Sequence, residues 1–147
     1  MIPFSITITI KAPLDHVWRN LVDWKSQGEW MAMTRVESSD HGADDSGVGT
    51  TIDAFTGIGP IGIRDLMRVT RWEPPHFCAV DHYGRWIKGI GEFRLESVSG
   101  NSMSATPQTK FHWYEEIAGP RAVISLVKPA IMVAVYFSLR RFARRCE

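Results

Sequence analysis

Between Thr34 and Gly119 the helical period is lost, and this long gap restricts the available folds more than any other feature of the sequence. Before the gap, Ile2, Phe4, Ile6, Ile8 and Ile10 alternate with Ser5, Thr7 and Thr9, the pattern of a half-buried strand. Leu14, Val17, Trp18, Leu21 and Val22 then fall at i, i+3, i+4, i+7 and i+8, which predicts an amphipathic helix with Pro13 near its first turn. "KSQGEWMAMT" reads as a second short helix or turn, broken at Gly28. Inside the gap, "TRVESSD", "TTIDAF", "IGIRDLMRVTRW", "FCAVDHY", "RWIKGIGEFRLESV" and "SATPQTKFHWYEEI" read as strands. "HGADDSGVG" is a polar turn, and "EPPH" interrupts the chain because a proline pair cannot continue a ladder. Helix returns from about Gly119. The order is strand, two short helices, about six strands on antiparallel spacing, and one long helix, an α+β arrangement.

No repeat or low-complexity linker divides the chain, so residues 1–147 read as a single domain, long enough to bury a core without disulfides or a metal. A formal net charge of +1 gives no global sign of nucleic acid as a partner. Cys78 and Cys146 form neither a C-x-x-C pair nor a zinc spacing, which favours a reducing compartment. "MIPFSITITIK" alternates where a signal peptide would carry a basic and then an apolar region, so the expected location is cytoplasmic. His16, His41, His76, His82 and His112 make no metal-ligating spacing, and no metal or cofactor is expected.

"GIGPIG" at 57–62 matches G-x-G-x-x-G, which can hold a dinucleotide pyrophosphate when a helix begins inside it. Here Pro60 and an alternating run follow, so the motif is expected to be a glycine-rich turn between antiparallel strands. Asp81 lies at the distance of a ribose-binding acid, but Pro74-Pro75 and the lack of a helix between them leave no βαβ unit. "KGIGE" at 88–92 places two glycines mid-strand, either at a bend over a helix or at a plain bulge.

"APLDHVWRNLVDWKSQGEWM", "GVGTTI", "RVTRWEPP" and "GIGEFRLE" resemble the polyketide cyclase/dehydrase-like branch of the START/Bet v 1 superfamily, the SRPBCC proteins. The likeness runs from about Ile6 to Arg145, and I-x-A-P-x-x-x-V-W-x-x-L-x-D-W is its most specific part. It implies a helix-grip fold, in which a curved antiparallel sheet of about seven strands wraps a long C-terminal helix. It also implies a pocket for an apolar or aromatic ligand between sheet and helix. Carriers, receptors and cyclases share that fold, so the fold leaves the function open.

Alternation nominates the pocket-facing residues. Asp65 stands between Ile63 and Met67 on an apolar face, and needs a donor, water or ligand as partner. Cys78, Val80 and His82 share a face, which brings His82 to the cavity if that face is inward. Phe111, Trp113 and Glu115 are assigned inward. The opposite register, with His112 and Tyr114 inside, is the competing choice, since a shift of one residue exchanges the faces. Met67, Phe93, Trp30 and Met33 complete the ligand-binding set, with Trp30, Met31 and Met33 near the expected mouth or packed beneath the last helix. Asp65, His82 and Glu115 are the candidate acid/base groups for a cyclase or dehydratase; the same groups in an apolar cavity would also orient a ligand that is only bound.

The last segment is strongly apolar. Pro120 fits its start, whereas Pro129 is expected to kink or split it. The apolar run Ala130–Leu139 is shorter than the roughly 20 residues that span a bilayer. Arg140, Arg141, Arg144 and Arg145 complement the helix dipole, or weakly attract an anionic membrane surface. The resulting expectation is a monomer or homodimer that binds or carries a small hydrophobic ligand, a lipid or polyketide-like molecule. The alternative is an enzyme acting through the same cavity, and a side-chain-filled interaction module is a third reading.

Overall fold

The structure, a computed structural model, describes residues 1–39, 47–98 and 107–147. Most of the expected polar turn at 41–49 and the first residues of the "SATPQTKF" strand lie outside these. The elements are β1 (Ile2–Ile10), α1 (Leu14–Leu21), a 3-10 turn (Trp24–Ser26) running into α2 (Gln27–Trp30), β2 (Thr34–Ser39), β3 (Thr51–Ile58), β4 (Ile61–Glu73), β5 (Phe77–Tyr83), β6 (Lys88–Val98), β7 (Gln108–Ala118) and α3 (Arg121–Cys146). The seven strands form one antiparallel sheet in the order β1-β7-β6-β5-β4-β3-β2. β1 closes on β7, the last strand, so the meander curls and α3 can lie along its inner side, the helix-grip arrangement.

The inner face follows the alternation. Phe4, Ile8 and Ile10 of β1, Ile52 and Ala54 of β3, Met67 and Val69 of β4, and Phe93 and Leu95 of β6 are all buried. One irregularity escapes simple alternation. The β4–β5 register shifts between Val69 and Arg71, so that Arg71 pairs with Ala79 and Trp72 with Cys78. This bulge reverses the parity of β4 and turns Trp72 toward the core, where its ring lies 5.1 Å from that of Trp18 on α1.

"GIGPIG" is the β3–β4 hairpin. Ile58 pairs with Ile61, and Gly59 at the first central position has φ of 58°, the positive value that a primed hairpin turn demands and glycine supplies without strain.

Of the kink or split expected at Pro129, α3 excludes the split: it is a single helix of 26 residues that continues through Pro129. The carbonyl deprived of its donor is that of Ser125, an exposed residue, so water is available to satisfy it. The C-terminal half of α3 is anchored by Leu139, Phe142 and Ala143, all buried. Phe142 stacks on Trp30 at 4.8 Å and on Phe111 at 5.9 Å between ring centroids. Ser138 Oγ accepts from the Ala32 N–H at 2.9 Å, and Arg145 pairs with Glu29.

Candidate functional site

Three neighbouring ladders bring Asp65, His82 and Glu115 together on the inner face. Met67 of β4 pairs with His82 of β5, so Asp65, two residues earlier, is a diagonal neighbour of His82 on the same side. Glu115 of β7 pairs with Gly91 of β6, and Gly91 pairs in turn with Val80 of β5. The His82 Nδ1–H donates to both Asp65 carboxylate oxygens, at 2.8 and 3.0 Å. Its Nε2 lies 3.7 Å from Glu115 Oε1 and is buried without a hydrogen-bond partner among the described residues.

Gly91 makes this approach possible. A Cβ there would stand 3.3 Å from His82 Nε2 and 3.1 Å from Val80 Cγ2, tight enough to press on the imidazole. The second glycine of the pair has another cause. Gly89 has φ of 147°, and a Cβ would overlap the Glu116 carbonyl, so it serves the bend at the start of β6.

The electrostatics follow from burial and proximity. Burial pushes the Glu115 carboxyl up to about 7, against the attraction of His82 and with repulsion from Asp65. Burial alone would lower His82, but its hydrogen bond to Asp65 and the charges of Glu115, Asp65 and Asp81 outweigh this and raise it. The His82 side chain is only 1% accessible, whereas those of Asp65 and Glu115 retain 17% and 20%. The carboxylates are therefore reached from solvent while the imidazole is sealed between them. An oxygen about 2.8 Å from both Nε2 and Glu115 Oε1 would complete the cluster. Such a group can hold a proton, pass it to a bound oxygen, or simply orient that oxygen.

The structure places Asp65, Trp113 and Glu115 on the inner side, as assigned, and the Cys78–Val80–His82 face, whose direction alternation leaves open, also points inward. The competing register does not: His112 lies on the outer side, with its ring against Thr7 and Glu96. Met67, Phe93, Phe111 and Trp113 are buried on the concave side. Trp30 lies beneath the C-terminal half of α3, against the Phe142 ring, which in turn packs on Phe111. Met33 is 61% exposed, with positive φ, and its carbonyl accepts from the Gly57 N–H beside the β3–β4 hairpin.

Three further residues were not nominated by alternation. Phe4 pairs with Glu115 across β1 and β7, and Lys128 of α3 places its Nζ 5.4 Å from the Phe4 ring centroid. Trp24 lies against Phe93, and its indole N–H, like that of Trp30, is buried without a partner among the described residues. The i, i+6 spacing of these tryptophans was a legible signal; the cross-strand partner of Glu115 was not.

Two open grooves, of about 300 and 320 Å³, lie on the opposite, outer face of the sheet, around Asp53, Leu66 and Tyr83 and around Phe55, Arg64 and Trp86. Neither contains a member of the Asp65–His82–Glu115 cluster.

No family model matches the chain, and no curated protein does. Solved structures do. A START superfamily protein from Mycobacterium smegmatis superposes with a TM-score of 0.77 at 8% identity, covering 99% of each chain. A protein from Thermus thermophilus gives 0.74 at 14% identity, covering 99% of this chain and 97% of its own. The Aha1 dimer from Colwellia psychrerythraea gives 0.60 at 20% identity, covering 93% and 94%. At these identities the likeness is one of fold: this chain has the helix-grip fold of the START superfamily.

Proposed function

We propose that this helix-grip chain binds a small, largely apolar molecule on the concave side of its sheet, with an oxygen of that molecule at the Asp65–His82–Glu115 cluster. The observation that carries the reading is the unpartnered His82 Nε2, sealed among apolar residues but flanked by two carboxylates that solvent still reaches. A buried polar atom without a partner costs roughly 1–3 kcal/mol, which a ligand oxygen or a water would recover. Trp113, Phe93 and Met67 supply the apolar wall, and the indole N–H of Trp24, beside Phe93 and without a partner among the described residues, offers a further donor. A neutral oxygen function such as a hydroxyl or carbonyl suits the cluster better than a second carboxylate, which would be repelled by Asp65 and Glu115. A lipid or an aromatic polyketide-like molecule fits that description, and two buried free cysteines suit a reducing cytoplasm.

One observation favours a second reading, an acid/base enzyme. Glu115 at about 7, beside a carboxylate-bonded imidazole, is poised to exchange a proton near neutrality, as enolisation next to a carbonyl would need. The deciding experiment is native mass spectrometry of the purified protein followed by solvent extraction. A stoichiometric apolar passenger, lost in His82→Ala, supports binding. An empty protein that also fails to take up aromatic hydroxyl or carbonyl compounds would overturn it.

A further inference from the structure

The outward side of α3 has a chemistry unsuited to water. Val123, Leu126, Ala130, Val133 and Phe137 recur at spacings of three and four, so they form one line along the helix, opposite the buried line through Ile124, Leu139 and Phe142. Leu126 is 81% exposed, and Val123, Val133 and Phe137 are each more than half exposed. At 1.5 Å per residue the line is about 21 Å long. Single exposed apolar residues are ordinary, but a continuous apolar line on a solvent face marks a surface that something covers. Past Phe137 the same line continues as Arg140, Arg141 and Arg144, all exposed.

The charges select what covers it. α3 carries Arg121, Lys128, Arg140, Arg141, Arg144 and Arg145, and no acidic residue. Two such helices laid against each other in parallel would set arginines on arginines. Laid antiparallel, they would set Arg140, Arg141 and Arg144 near the apolar start of the partner line, with no acidic residue to pair with. An anionic surface meets both the apolar line and its basic end. By length and composition α3 suffices to cross a bilayer, but it packs against β1, α1 and α2, with Ile124 buried near its start and Ser138, Leu139, Phe142, Ala143 and Cys146 buried in its later turns. The β3–β4 hairpin adds exposed Ile58 and Ile61 at the end of the sheet where α3 begins.

We infer that α3 lies along an anionic lipid bilayer, with the Val123–Phe137 line at the acyl boundary and the terminal arginines among lipid phosphates. This goes beyond the ligand-binding reading and does not depend on it. The test is co-sedimentation of the intact protein with phosphatidylcholine vesicles and with phosphatidylcholine–phosphatidylglycerol vesicles containing roughly one-third anionic lipid. The expected result is sedimentation with the anionic vesicles, weakened tenfold or more by added salt and by Arg140→Glu with Arg141→Glu, and abolished by Leu126→Glu with Val133→Glu. These side chains point away from the core, so both variants should keep the wild-type circular dichroism and melting temperature. Wild-type protein that stays in the supernatant with both vesicle types would overturn the inference. So would a dimer, seen by light scattering, that Leu126→Glu with Val133→Glu dissociates without any vesicle binding, since a second copy would then cover the face.

Discussion

His82 shows how one residue's chemistry depends on neighbours far away in the chain. Asp65 is 17 residues upstream and Glu115 stands on a strand not adjacent to its own, yet both reach the imidazole. The proton balance has a definite sign. Glu115 rises from 4.5 to about 7 on folding, and His82 also rises, so in both cases the folded state holds the proton more tightly. The His82 contribution is full below its unfolded value and is lost as pH climbs through the raised folded one. Glu115 loses stability over the same climb, from about 4.5 to 7. Denaturation midpoints should therefore fall as pH rises from 5 to 8. Glu115→Gln should flatten that fall, matching wild type near pH 5 and exceeding it by about 2–3 kcal/mol at pH 8. A Gln variant with the wild-type pH profile would remove Glu115 as the titrating group. Gly91→Val should cost about 1–3 kcal/mol in urea denaturation and weaken uptake of any passenger, because the added carbons crowd Val80 and His82. Asp65 was legible as a polar residue on an apolar strand face, because that is visible in one strand alone, whereas for His82 and Glu115 alternation gave the face-mates but left the inward face to be chosen. That Asp65 pairs with His82 while Glu115 stops at 3.7 Å was not legible, because it depends on ladder register.

At the scale of the element, α3 carries two faces with different fates. Phe142→Ala should destabilise the protein by about 3–5 kcal/mol, since the ring is fully buried between Trp30 and Phe111. Leu126→Ala, on the outward line of the same helix, should change stability by less than about 0.5 kcal/mol. Equal losses at both positions in thermal or chemical denaturation would contradict the packing described here. The same helix shows where local rules stop. Pro129 argued for a kink or split, and the split did not occur: the helix is continuous in its hydrogen-bonded turns, and the carbonyl freed by the proline belongs to exposed Ser125. The opposite case is the β3–β4 hairpin. Pro60 and the following alternation sufficed to reject a nucleotide loop, because a hairpin turn is a local structure. The β4 bulge lay beyond such reasoning: Trp72 reaches the core only because β5 imposes the shifted register.

At the scale of the molecule, a long helix lies on a curled sheet, with apolar side chains both on the concave side of the sheet and along the outward line of the helix. With a passenger bound, the melting temperature should rise with ligand concentration, because only the folded chain holds the site. A passenger recovered by extraction but without effect on the melting temperature would point to adventitious association. The order of elements and the count of about seven strands could be anticipated from the chain, because alternation, helical period and turn residues are local signals repeated many times, whereas the grip of the last helix was implied by the family resemblance. Which inward residues meet, how α3 divides its apolar surface between core and solvent, and which end of the sheet Trp30 occupies could not. These depend on register, curl and helix placement, where one bulge or one turn of rotation exchanges a buried neighbour for an exposed one.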